Sequence, residues 1–376
     1  MNKELIEALL VRHEASPKVT VQEYVRSLMA ELGDSIADRH KLYLDTRYWI
    51  HLRDAAMGRR LTHSGHSDIL ECIRTLVANG LAICPVSDVA CIELFKQTDP
   101  KTRLATADLL DELSLGVALV SEKERVVAEI DHFLTYPTEG LPPIRTDRIW
   151  TKAGYSLGSF IPVIDQFSLY QNRLAQKASV DFCWRVTYRK LFLAESLPEE
   201  EYRLMEDAAA KITAEMQEYA HEIRSFEQAF SGEIAGGFQA YNNEIWEIIV
   251  RHYRRVSGDQ RPVSPKRAEE EVKSVVTFLS DAFKGHPKIM AKHIPTIYAL
   301  TMCHAAVRWD KSRKLNSHDL LDFHHASSGI PHHNAMLTEK PLRALVTAGN
   351  VALDKTFSCV VLSKENDVLD YLHRLG

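Results

Sequence analysis

The stretch Lys41-Leu42-Tyr43-Leu44-Asp45-Thr46 decides the fold. Its first four residues predict a short buried strand that ends at the carboxylate of Asp45. The chain then turns at Thr46-Arg47 and continues into the apolar pair Trp49-Ile50. In an open parallel sheet, this order places Asp45 at the edge where ligands bind.

A second acidic side chain follows a second apolar run. Leu81 to Ser87 is short and apolar, and Ser87 is a good N-cap for the helix that follows. Glu93 then lies in the second turn of that helix, near the same sheet edge as Asp45. Taken alone, Asp45 is equally well explained as a helix N-cap, and Glu93 as a solvated helix residue. Taken together, the two acids favour a functional site.

Two more acidic stretches come late in the sequence. A helix capped by Asn316 or Ser317 carries Asp319 and Asp322 three residues apart, so both side chains project from one face. These two acids could also simply favour the start of the helix through its dipole. A predicted strand, Ala335 to Thr338, is followed at once by Glu339.

Several carboxylates in one cleft have a chemical implication. Like charges at close range repel and raise one another's pKa, so such a cluster is hard to explain unless a cation binds there. Oxygen-only ligands suit Mg²⁺ or Mn²⁺, which activate water and polarise a phosphodiester. The candidate catalytic residues are Asp45, Glu93, Asp319, Asp322 and Glu339, and the candidate metal ligands are Asp45, Glu93, Asp322 and Asn334.

The order and setting of these stretches resemble those of the PIN-domain nucleases. The resemblance covers Lys41 to Val120 and Thr301 to Gly376, and it implies Mg²⁺- or Mn²⁺-dependent hydrolysis of nucleic acid. The family often has an aspartate where Asn334 stands, and an aspartate rather than a glutamate near Glu339. The matching words are Leu44-Asp45-Thr46-x-x-Trp49-Ile50, Pro85-x-Ser87 with Glu93, Asp319-Leu320-Leu321-Asp322-x-x-His325, Ile330-Pro331-x-x-Asn334 through Lys340, and Cys359 to Ser363.

A nuclease also needs basic residues that contact the phosphates of its substrate. The first cluster consists of Arg185, Arg189 and Lys190, which recur at helical spacing beside Trp184 and Tyr188. Arginine with interleaved aromatics suits phosphate contact and base stacking. A second run, Arg251 to Arg255, has the same character, and a third, Arg308 to Lys314, directly precedes the acidic helix. Either of the first two clusters is better explained as a solvated face, whereas the third is the exception, because it is expected near the mouth of the cleft. The candidate nucleic-acid contacts are Arg185, Arg189, Lys190, Arg308, Lys311, Arg313 and Lys314.

Length and composition limit the class of protein. The chain has 376 residues, 45% of them hydrophobic, which suffices for about two domains. A formal net charge of −5 gives no global attraction to nucleic acid, so binding needs a local basic surface. The six cysteines include no Cys-x-x-Cys pair, which predicts reduced core residues. Because no secretion signal and no uncharged run of about 20 residues is found, we predict a cytoplasmic protein without a membrane partner.

The predicted fold class is α/β, with a PIN-like parallel sheet flanked by helices, discontinuous in sequence, and a large all-α insertion. Residues 1–40 form an N-terminal helical extension, and residues 41–120 form the first half of the α/β domain, including a strand at Val117 to Val120. Residues 121–299 form the helical insertion, broken at Tyr136 to Pro143 and at Ser257 to Pro265. Residues 300–376 form the second half.

The predicted function is hydrolysis of single-stranded nucleic acid, with RNA expected over DNA. A catalytically impaired PIN-like binding or scaffolding protein remains an alternative, which Asn334 favours. A helical interaction protein and another phosphoryl hydrolase remain open too, as do homo-oligomerisation and a regulatory protein partner. The pairs His324-His325 and His332-His333 suggest a zinc site, but we disfavour it. Adjacent side chains on a helix point about 100° apart, so one pair cannot easily share an ion. We expect His325 to pack beneath the acidic helix.

Overall fold

The computed structural model describes residues 11–59, 65–135, 149–158, 161–193, 211, 213, 214, 218, 221–258, 264–310 and 315–376. Within them, the chain is mostly helical and the strands are short. The strands are β1 (His40–Leu44), β2 (Ala82–Ile83), β3 (Val117–Leu119), β4 (Trp150–Lys152), β5 (Ala335–Leu337) and β6 (Val360–Leu362). The helices are α1 (Val21–Ser35), α2 (Thr46–Ala56), α3 (Gly65–Ala78), α4 (Asp88–Phe95), α5 (Pro100–Ser114), α6 (Glu122–Thr135), α7 (Leu169–Trp184), α8 (Tyr188–Leu193), α9 (Phe226–Gln239), α10 (Asn242–Ser257), α11 (Pro265–Gly285), α12 (Pro287–His293), α13 (Pro295–Trp309), α14 (Ser317–Gly329), α15 (Lys340–Val346), α16 (Leu353–Phe357) and α17 (Glu365–His373).

The chain divides into two compact units, each built from separate stretches of sequence. Unit 1 consists of Met1–Ser121, Arg145–Leu197 and Ser363–Gly376. Unit 2 consists of Glu122–Ile144 and Pro198–Leu362. Residues of the expected helical insertion, 121–299, contribute to both units. The division into four segments drawn from the sequence stays a prediction.

The first strand of unit 1 forms where the sequence predicts it. β1 pairs in parallel with β2, and His40 lies opposite Ala82. Leu42, Tyr43 and Leu44 are at most 1% exposed. Burial on both faces is typical of parallel strands, and it explains why this run is continuously apolar rather than alternating.

Unit 1 also contains a pair of strands, of which only one was predicted. β3 confirms the predicted strand, and β4 runs antiparallel to it, with Ala118 opposite Thr151. The prediction of an all-α insertion is therefore wrong at β4, which lies within residues 121–299. Trp150 is 1% exposed and packs in a core cluster with Val117 and Leu119, so burial of the indole stabilises the strand. Three residues are too few to show a strand period in the sequence.

Helix α17 completes unit 1 from the far end of the sequence. It packs against α3, and its residues Val368 and Leu372 are buried. On the same helix, the Tyr371 hydroxyl forms a hydrogen bond with the His40 ring of β1. Residues more than 300 positions apart in sequence thus share one core.

In unit 2, α13 is a core helix. Most of its residues are buried, and it contacts α6, α9 and α14. A helix that is apolar nearly all round is expected in a protein interior, because no face is left for water. β5 pairs in parallel with β6, and Ala335 lies opposite Val360. β5 confirms the strand predicted at Ala335 to Thr338, and β6 lies within the matching word Cys359 to Ser363.

The α/β class is confirmed, since the chain is mostly helical and has four parallel strands in two pairs. The PIN-like arrangement stays a prediction. No helix in the described part of the chain is long and apolar enough to cross a bilayer. The first ten residues of the predicted N-terminal helical extension lie outside the described residues, and so does the predicted break at Tyr136 to Pro143.

Candidate functional site

Asp45 directly follows β1 and is the N-cap of α2. One oxygen, Oδ1, accepts a hydrogen bond from the backbone amide of Tyr48 at 2.9 Å, and the residue is 6% exposed. The helix N-terminus stabilises the negative charge of the carboxylate through its dipole. The capping role of Asp45 is therefore present, and any further role has to be compatible with it.

Glu93 is linked to the chain segment that contains Asp45 through Thr46. The Thr46 hydroxyl donates a hydrogen bond to Oε2 of Glu93, which links the start of α2 to α4. Ser87 caps α4 as predicted, and its hydroxyl bonds to the Tyr43 hydroxyl at 2.8 Å. Glu93 is half-buried rather than fully solvated. Within unit 1, Glu93 thus contacts Thr46, the residue that directly follows Asp45 in sequence.

Unit 2 carries the remaining acidic candidates, and Asp319 is the best defined of them. Asn316 is the N-cap of α14, one of the two residues predicted for that place. Its side chain accepts from the Asp319 amide, while the Asp319 carboxylate accepts from the Asn316 amide, both at 3.0 Å. This capping box fixes the first turn of α14. Asp322, one step along the helix, is half-buried.

Asn334 and Glu339 flank β5. The Asn334 carbonyl accepts from the Val360 amide at 3.0 Å, and its side chain is exposed. Glu339 is the N-cap residue of α15 and makes no side-chain cap bond. The carboxyl ends of parallel strands are where open α/β sheets bind ligands. Glu339 follows the carboxyl end of β5 by two positions.

The donor chemistry of these residues suits a hard cation. Asp45 and Glu93 offer only carboxylate oxygens, which fit Mg²⁺ or Mn²⁺ better than they fit zinc. Across the described ranges, no group of three or more histidine, cysteine or acidic side chains is already arranged to hold a metal ion. His325, which we expected to pack beneath the acidic helix, is buried, with 3% of its surface exposed.

The first basic cluster does not lie on one helix. Arg185 is the C-cap of α7, whereas Arg189 and Lys190 belong to α8, so the expected helical spacing is wrong. The break has a physical reason. The Asp111 carboxylate accepts from the amides of Tyr188 and Arg189 at 2.8 and 3.0 Å, which starts a new helix there.

Arg189 of this cluster and the two aromatic residues beside the cluster already make contacts within the protein. Arg189 forms an ion pair with Asp108, and both side chains are about half exposed. Tyr188 is completely buried, and Trp184 packs against the core cluster of unit 1. These aromatic rings stabilise the protein core, so base stacking by them is not supported.

The third basic cluster is described in part. Arg308, near the end of α13, forms an ion pair with Glu233 of α9, and both side chains are less than a quarter exposed. Partial burial of this pair makes it a packing contact between two helices of unit 2. Lys311, Arg313 and Lys314 lie outside the described residues.

A polar network in unit 2 was not found from the sequence. His324 Nδ1 lies 2.7 Å from Oε2 of Glu122, to which the Ser327 hydroxyl also donates at 3.0 Å. Arg125, fully buried, donates to the Ser328 hydroxyl at 2.8 Å. Burial raises the pKa of Glu122, but His324 and Arg125 outweigh it and hold this pKa at about 2. The network ties α6 to α14.

The same face of α6 carries a second buried acid with the opposite behaviour. Burial raises the pKa of Glu129 to about 8, although Thr296 and Arg125 act to lower it. Burial also keeps the pKa of His332 well below its usual value, and its Nε2 lies 4.0 Å from Oε1 of Glu129. Charged residues at positions 122, 125 and 129, at helical spacing among apolar neighbours, were the signal available in the sequence.

Comparison with known proteins identifies no family. No family model matches the chain, and no curated protein or solved structure matches it either. The PIN-like resemblance therefore rests on the sequence motifs, and the local geometry of the acids is the remaining guide to function.

Proposed function

We propose that this protein is a metal-dependent nuclease that hydrolyses phosphodiester bonds of single-stranded nucleic acid, with RNA as the expected substrate. The observation that carries the proposal is the contact around Thr46. It brings Glu93 next to the residue that follows Asp45, at the carboxyl end of a parallel strand. Ligand sites in open α/β folds lie at such strand ends.

The proposed roles follow from these contacts. A bound Mg²⁺ or Mn²⁺ would supply Lewis-acid polarisation of the phosphodiester and activation of water. Asp45 uses one oxygen for the helix cap, which fixes the orientation of its carboxylate. The Thr46 hydroxyl orients Glu93 in the same way. Two pre-positioned carboxylates are what a hard cation requires.

Further ligands are proposed from the resemblance alone. Asp322 is the third expected core ligand, with Asp319 and Glu339 as accessory acids and Asn334 as a neutral oxygen donor. The capping box leaves Asp319 with a structural role, so its loss is expected to affect stability as well as activity. Asp322 is therefore the better residue for testing unit 2.

The test compares cleavage of labelled single-stranded RNA and DNA in Mn²⁺, in Mg²⁺ and in EDTA. The proposal expects cleavage that requires the metal and is lost in Asp45→Asn. The matched control is Asp68→Asn, which removes an exposed acid from the neighbouring helix α3. Equal cleavage by the parent and Asp45→Asn, or cleavage that persists in EDTA, would overturn the assignment.

A nucleic-acid-binding protein without hydrolytic activity is the second candidate. Asn334 favours it, because an amide at this position contributes no charge toward a cation. This candidate expects binding of single strands by the parent protein with no cleavage in either metal. The two functions are thus separated by the same set of reactions.

A further inference from the structure

Two adjoining cavities in unit 2 share one aromatic wall. The larger, of about 550 Å³, lies between α10 and α11, and the smaller, of about 370 Å³, lies along α10. Trp246 lines both of them, and it is half-buried. An indole between two cavities presents a flat surface that is supported by the protein and reachable from outside.

The larger cavity combines an apolar floor with uncharged polar groups, one acid, Glu269, and one base, Lys273. Val272 and Val276, each 8% exposed, form the floor. The carboxamides of Gln239, Asn242 and Asn243 line it as well. Each carboxamide offers both donors and an acceptor, so it can pair with the mixed donor and acceptor edge of a base. Its volume lies within the range of pockets for small ligands.

The smaller cavity adds positive charge. Arg251 and Arg254 line it together with one acid, Glu247, which leaves a net positive lining, and both arginine side chains are exposed. Arg251 lies 3.9 Å from Asp131, a loose ion pair at an exposed position, which costs little to rearrange. Arginine binds phosphate through two parallel hydrogen bonds. The two cavities therefore place carboxamides suited to a base and arginines suited to a phosphate beside one aromatic side chain.

We propose that the Trp246 groove, defined as these two cavities, binds one unstacked nucleotide of a single-stranded nucleic acid. The base stacks on Trp246 and pairs with the carboxamides, while its phosphate contacts Arg251 and Arg254. Stacking on an aromatic side chain is the usual way in which proteins hold single strands. None of the proposed acidic ligands lines the groove, and the inference rests on the proposed function only for its substrate class.

The experiment measures binding of short fluorescent single-stranded oligouridylate and oligoadenylate RNA to the full chain in EDTA, which prevents metal-dependent cleavage. Trp246→Leu should weaken binding about tenfold or more, as expected for the loss of one base stack, and Trp246→Phe should retain most of the affinity. The control is Phe278→Leu, an exposed aromatic on α11 that lines neither cavity. Affinity unchanged in Trp246→Leu would overturn the proposal.

A second variant tests the groove with a substitution that is expected to preserve the fold. Asn243→Asp changes an exposed residue, keeps its shape and places a negative charge beside the base site. We expect weaker binding and an altered ratio between the two oligonucleotides. An unchanged ratio with unchanged affinity, or no binding of either oligonucleotide by the parent, contradicts the proposal. Binding without cleavage would leave the groove in place and reject only the nuclease function.

Discussion

Thr296 donates two hydrogen bonds to the buried carboxyl group of Glu129, from its amide at 3.1 Å and from its hydroxyl at 2.6 Å. Burial nevertheless raises the pKa of Glu129 from 4.5 to about 8. Between these values the folded protein holds a proton that the unfolded chain releases. The free energy of unfolding therefore falls as the pH rises through this window.

We predict that Glu129→Gln removes this dependence. A glutamine side chain is neutral at every pH, and the Thr296 hydroxyl can accept from its amide group. Relative to the parent, the melting temperature of the variant should rise between pH 6 and pH 9. Glu227→Gln, at an exposed position of α9, is the matched control and should follow the parent. Parallel curves for Glu129→Gln and the parent would contradict the prediction.

Glu122 is predicted to behave in the opposite way. Its pKa is held at about 2, below the 4.5 of the unfolded chain, so its ionised form stabilises the fold above pH 4.5. This stabilisation is lost as the pH falls from 4.5 toward 2. Glu122→Gln should cost about 1–3 kcal/mol at pH 7, since His324 and Arg125 lose a charged partner. Denaturant unfolding at pH 7 and pH 3 should show this cost shrinking, and an equal cost at both would argue against the pair.

Asp45→Asn is predicted to abolish cleavage and preserve the fold. Asparagine caps helices as well as aspartate does, so the bond from Tyr48 survives while the ligand charge is lost. Without metal, the melting temperature should rise, because repulsion with Glu93 is relieved. Asp45→Ala, which also loses the cap, should be less stable than Asp45→Asn by about 1 kcal/mol. A lower melting temperature for Asp45→Asn in EDTA would count against a shared acidic site.

Asn334→Asp is predicted to tighten binding of Mn²⁺ or to raise activity at low Mg²⁺, because a charged oxygen attracts the ion more strongly. The fold should tolerate the change, since the Asn334 side chain is exposed and its backbone carbonyl, which joins the strand pair, is unaltered. Titration calorimetry with Mn²⁺ gives the affinity. Asn350→Asp, at another exposed position of unit 2, is the control. Equal affinities in all three proteins would place Asn334 outside the site.

Local signals in the sequence were sufficient for several elements. Strand β1, the Ser87 cap and the Asn316 cap were all predicted, because each depends on neighbouring residues only. An apolar run and a cap residue have the same meaning wherever they occur. That Asp45 and Glu93 lie near one sheet edge stays a prediction from strand order, and the hydrogen bond from Thr46 to Glu93 was not anticipated.

Other features depend on contacts between distant residues and were therefore hidden. β4 is too short to carry a period, and it forms because β3 lies beside it. Arg185 and Arg189 have helical spacing, yet Asp111 caps a new helix between them. The Glu122 network joins residues about 200 positions apart, which no local pattern reveals.

The composition of unit 1 has a consequence for synthesis on the ribosome. Its last stretch, Ser363–Gly376, is translated after every residue of unit 2. At about 5–20 residues per second, translation leaves on the order of ten seconds or more between the first stretch and α17. During that time, the surface of α3 that α17 later covers is exposed on the nascent chain. Unit 2 can fold first, although its sequence begins later, and unit 1 becomes the part most dependent on chaperones.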